Sequence, residues 1–178
     1  VGLLARAVAE PFLPVFDMAE LHPGDGPAGP PLLRLFVLSD LHAGLCGIGP
    51  GRPAAAARSS GAAGILFLGD LSNGPRDFPR AIRWMVRLAA ESGLPVWMVP
   101  GNHDQWIWRE RPDLFASMRK AFEGAGIRVL LNEGVRIPGL DGNPVLLSGL
   151  EDRAEGRPDP EAALAAGRDL PPTRRILA

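Results

Sequence analysis

The chain has 178 residues, and 19 Lys and Arg against 20 Asp and Glu give a formal net charge of −1. That length holds one domain with a real core, and a hydrophobic fraction of 46% with 22% charged residues excludes a disordered, collagen-like or coiled-coil chain. The near-neutral balance speaks against nucleic-acid binding by phosphate neutralisation; the single cysteine, Cys46, excludes an internal disulfide or a thiolate metal cluster.

Residues 1–31 read as an N-terminal extension and loop, and 32–178 as the domain proper. Leu3 to Val8 has the look of a helical end, Phe12 to Leu21 alternates in part like a strand, and HPGDGPAGPP at 22–31 is a breaker-rich loop that leaves His22 solvated. No basic segment followed by an apolar core is visible near Val1, and no run of about 18 apolar residues exists to span a bilayer. Localisation stays open between the cytoplasm and a bacterial membrane surface.

The apolar run Leu32 to Leu38 predicts a buried strand, ending in Ser39-Asp40-Leu41-His42. A short helix is expected over Pro53 to Ser60, with proline in its first turn. The run Ile65 to Leu68 ends in Gly69-Asp70. Pro75 to Ser92 reads as a helix with Phe78, Ile82, Met85, Val86 and Ala89 on one face, Arg80, Arg83 and Arg87 on the other, and Gly93 as its stop. The run Val96 to Val99 leads into Pro100-Gly101-Asn102-His103-Asp104. A helix over Pro112 to Glu123 follows, then strands at Val129–Leu131, Val135–Ile137 and Val145–Leu147, a helix over Pro160 to Ala166, and an apolar run from Arg174 to Ala178. Alternating strands and helices predict a layered α/β domain.

Three apolar runs thus end in polar clusters, and ligands of open α/β sheets collect outside the carboxyl ends of the strands. Carboxylate, imidazole and amide oxygen suit Mn, Fe or Zn. Asp40 and His42, two apart in an extended segment, face one way and can grip one ion together. Asp70 can bridge two ions, and Asn102 can serve a second ion without adding charge. His103 can donate a proton to a leaving oxygen. Asp104 can orient that imidazole or cap the turn at Gln105.

The blocks LSDLHAG, LGDLSNG and GNHDQ, in this order and spacing, resemble the calcineurin-like metallophosphoesterase superfamily, and within it the bacterial membrane-linked members. The similarity runs on through VLLNEGVRIPG, VLLSGLEDR and RRILA. It implies an α/β/β/α four-layer sandwich of two mixed sheets with helices outside. It implies two divalent ions, with Asp40 and His42 on the first, Asp70 bridging and Asn102 on the second. His103 becomes the catalytic imidazole with Asp104 as its partner. The implied reaction is hydrolysis of a phosphomonoester or phosphodiester by a metal-bridging hydroxide, without a covalent phosphoenzyme. A phospholipid or nucleotide-linked lipid is one implied substrate class, and peripheral membrane association one implied setting; no protein partner is indicated.

One departure is large. The family draws three more histidines from its C-terminal half, whereas this sequence has His22, His42 and His103 and none beyond. The expectation is therefore a domain truncated at its C-terminus. The rival reading is a non-catalytic remnant of the fold that binds at most one ion. Cys46, near the cleft mouth, reads as unimportant; Trp106 and Trp108 are placed either beside the substrate or in packing, and Arg109 and Arg111 on a solvated helix start.

Overall fold

The computed structural model describes residues 31–178, together with residues 15 and 17. The readings made for Leu3 to Val8, for most of Phe12 to Leu21 and for His22 lie outside the described residues.

Two sheets carry the domain. The first holds β1 (Leu35–Leu38), β2 (Gly64–Phe67), β3 (Val96–Met98) and β4 (Ile127–Val129), side by side in that order and all parallel. Parallel neighbours need crossovers, and helices supply them: α1 (Gly51–Ser59) between β1 and β2, α2 (Phe78–Ser92) between β2 and β3, and α3 (Asn102–Glu110) with α4 (Pro112–Gly124) between β3 and β4. The second sheet is mixed. β5 (Glu133–Pro138) and β6 (Pro144–Gly149) form an antiparallel pair, and β7 (Arg175–Leu177) joins β6 in parallel.

The strand period of two divides the first sheet between two cores. Ile65, Phe67 and Met98 face the helices and pack with Phe78, Met85, Leu88, Met118 and Phe122. Leu66 and Trp97 face the other way and pack with Ile137, Val145 and Leu147 of the second sheet. On the far side of that sheet lies α5 (Pro160–Leu164), followed by a 3-10 turn at Ala165–Gly167. The Ser148 hydroxyl donates to the Ala163 carbonyl at 2.7 Å there, and a side chain at Gly134 would collide with the same oxygen. The result is the expected layering of helices, sheet, sheet and helix.

Local signals act as read in most places. α2 buries Phe78, Ala81, Ile82, Met85, Leu88 and Ala89, turns Arg80, Arg83 and Arg87 outward, and stops at Gly93 in the left-handed region. Its start falls at Phe78 rather than Pro75, because the Ser72 hydroxyl and the Asp77 amide both bond to the Gly74 carbonyl and form a turn. β4 begins at Ile127, two residues ahead of the expected Val129. α3 is an element that the hydrophobic pattern does not reveal, and it bears directly on the site.

Candidate metal centre

The three polar clusters meet at the carboxyl ends of β1, β2 and β3. Beyond their last strand residues the β1 and β2 segments stay zipped together: the amides of Asp40, His42 and Ala43 donate to the carbonyls of Gly69, Asp70 and Leu71 at 3.0, 3.0 and 2.9 Å. This pairing holds Asp40, His42 and Asp70 at φ of +55°, +40° and +59°. Positive φ is uncommon outside glycine and costs on the order of 1–3 kcal/mol where it is strained. Three of the four such residues in the described part of the chain are the candidate ligands. The backbone is bent to bring their side chains to one point.

One ligand atom from each of Asp40, His42 and Asp70 lies within 4.8 Å of the other two. The His42 Nε2 atom stands 3.6 Å from Asp40 Oδ1, and the Ser39 hydroxyl donates to Asp40 Oδ2 at 2.5 Å. The His42 and His103 rings meet edge to face with centroids 5.4 Å apart. His42 Nδ1 is buried and has no hydrogen-bond partner within the protein. Two carboxylates and an imidazole gathered within 4.8 Å of one another form an O,O,N donor set of the kind that suits Mn, Fe or Zn.

The third cluster approaches from β3. Gly101 precedes α3, Asn102 is its exposed first residue, and His103 is half-buried in its first turn. The contact with the β2 loop leaves no room for side chains. A Cβ on Gly69, whose φ is +81°, would sit 2.0 Å from the Gly101 nitrogen, and one on Gly101 would sit 2.2 Å from Asp70 Oδ1. The His103 amide donates to Asp70 Oδ1 at 3.2 Å.

Asp104 departs from its expected place as the partner of the His103 imidazole. It is fully buried, and its two oxygens accept from the backbone: Oδ2 from Asp70 at 2.8 Å and Gly101 at 3.0 Å, Oδ1 from Leu71 at 3.0 Å. It has no hydrogen bond to the His103 ring. Burial pushes its carboxyl up to about 6, against the three amides that favour the charged form. The bond to Gly101 caps the helix through its third residue. A Gly-x-x-Asp spacing ahead of Pro112 was the signal available for α3.

The aromatic and basic residues near the site separate. Trp108 is buried and stacks against Phe115 at 4.6 Å, while Trp106 is partly exposed. Arg109 pairs with Glu155 at 2.7 Å and Arg111 with Asp113 at 2.7 Å. Cys46 is half-buried and engaged with Ile48. Asn132 carries no signal in the sequence, yet its side chain bonds to Glu151, Arg157 and Asp159 and staples the loop after β6. Its φ of +51° is a conformation asparagine tolerates. A cavity of about 570 Å³ beside β4 and α4 is lined by Phe115, Arg119, Phe122 and Arg128 and by none of the candidate metal ligands.

A sequence model described as calcineurin-like phosphoesterase matches residues 33–166. No curated protein matches the chain. Among solved structures, the protein TT1561 of Thermus thermophilus is similar at 21% identity and a TM-score of 0.48, over 82% of this chain and 66% of that one. The phosphopantetheinyl hydrolase of Mycobacterium tuberculosis is similar at 18% identity and a TM-score of 0.41, over 79% of this chain and 52% of that one. The chain spans less than two thirds of the length of either.

Proposed function

This chain belongs to the calcineurin-like phosphoesterase family, and from that premise we propose that it hydrolyses phosphomonoester or phosphodiester bonds with divalent metal ions held at the strand-end cluster. The observation that carries the reading is the convergence of Asp40, His42 and Asp70 ligand atoms within 4.8 Å. Asp40 and His42 would hold a first ion, with Asp70 beside them, and Asn102 would serve a second. When bound, such ions polarise phosphoryl oxygens and generate a nucleophile at neutral pH.

The side chains do the rest. The His103 imidazole, edge-on to His42, gives a proton to the leaving oxygen. Its own backbone amide is tied to Asp70, so the ring's position follows that of the bridging carboxylate. Leu45, Leu68 and Trp106 are 70%, 37% and 36% exposed on the three segments that carry the site. These exposed apolar side chains are the ground for a substrate with a lipid portion and for peripheral contact with a membrane surface. Sedimentation with anionic liposomes tests that contact; a chain that stays in the supernatant loses it.

A second reading is a chain that binds at most one ion without turnover. Hydrolysis of bis-p-nitrophenyl phosphate with added Mn²⁺ separates the two. Turnover that EDTA abolishes supports the phosphoesterase; metal uptake without turnover supports the second reading.

A further inference from the structure

We infer that the Asp104 carboxylate is a clamp that holds the β2 and β3 loops in the register required for metal binding, a positioning residue and not the proton partner of His103. This inference rests on the metal reading above. Its ground is the direction of the hydrogen bonds. Asp104, on α3, accepts from the amides of Asp70 and Leu71 on the β2 loop and of Gly101 on its own loop. In return the Asp70 carboxylate accepts from the His103 amide. Each loop thus presents a carboxylate to the other's backbone, and the three bonds that cross the contact run in both directions, two toward Asp104 and one toward Asp70.

The geometry explains why a carboxylate stands there. An ionised carboxyl group offers acceptor sites on both oxygens and no donor, and three of those sites meet inward-pointing backbone amides in a place sealed from water. An asparagine keeps one acceptor oxygen and aims an N–H at the remaining amide. Alanine leaves all three amides without a partner. The clamp also holds Asp70 at its positive φ, a conformation that persists only where the surroundings determine it. Gly69 and Gly101, pressed together with no room for a Cβ, let the carboxylate reach across.

The test uses the whole chain, with Co²⁺ as the probe. In Asp104→Ala, Co²⁺ should bind about tenfold or more weakly, with altered d–d bands, and Asp104→Asn should fall between it and the unaltered chain. Amide hydrogen exchange should quicken at Asp70, Leu71 and Gly101 while the β2 and β3 strand amides keep their protection. A folded Asp104→Ala chain with unchanged Co²⁺ affinity, bands and exchange overturns the clamp. Where the alanine variant does not fold, Asp104→Asn is read in the same way. If the unaltered chain takes up no Co²⁺, the metal reading itself falls, and exchange at the three amides still decides whether the clamp exists.

Discussion

The histidines and aspartates of the site do different work although they stand side by side in the chain. His103 touches the site with its ring and Asp70 with its backbone amide; substitution by alanine removes the ring and keeps the amide. His103→Ala should therefore retain metal and lose turnover by about 10²–10⁴ if the imidazole acts as an acid, and a variant that arrives empty of metal would assign the ring to the metal instead. Asp104 carries a pH signature. Its folded value of about 6 lies above its ordinary 3.8, so the folded chain holds that proton more tightly than the unfolded one. The resulting stability is complete below about pH 4 and is lost as pH rises through about 6. In the metal-free chain, the stability of wild type relative to Asp104→Asn should fall by about 1–3 kcal/mol between those limits, and urea midpoints flat across them would contradict it. The spacing marked these residues as candidates. The hydrogen bonding of Asp104 was not legible in it, because neighbours in sequence suggested an imidazole partner while two of its three donors come from a loop more than thirty residues away.

The elements that position the site are two strand-end loops in contact. Continuous apolar runs made β1, β2 and β3 legible, and β2 and β3 are buried along their length as strands covered on both faces are; β1, expected to be buried, lies at the edge of its sheet, half-buried with Val37 exposed. α3 was hidden: NHDQWIWRE has its apolar residues crowded into the centre, and its first turn is filled by polar residues that the site requires. Its existence follows from capping and from the tertiary contact at Gly101, which a periodicity reading does not see. That contact yields a sharp prediction. Gly69→Ala combines a positive φ with a Cβ 2.0 Å from a backbone nitrogen, and should lower stability by more than about 1 kcal/mol and weaken metal binding together. Alanine at Gly74, where a Cβ meets nothing within 4 Å, is the matched control, and equal effects at the two positions in calorimetry would refute the interlock.

At the scale of the whole molecule, two sheets stacked through Leu66, Trp97, Ile137, Val145 and Leu147 fix the strand ends that present the ligands. Among the described residues, the strands of the second sheet carry none of the candidate metal ligands and pack behind the strands that do. Leu147→Ala, at a fully buried position, should cost about 2–5 kcal/mol of stability while a folded variant keeps its metal affinity; a stability loss under 1 kcal/mol by urea denaturation would place the inter-sheet core elsewhere. The central claim is that Asp40, His42 and Asp70 make a metal site, and isothermal titration of the chain with Mn²⁺ tests it most directly. The account predicts saturable uptake of at least one ion, lost in Asp70→Asn at unchanged fold. Equal heats from the wild-type and Asp70→Asn chains, or none from either, would contradict it.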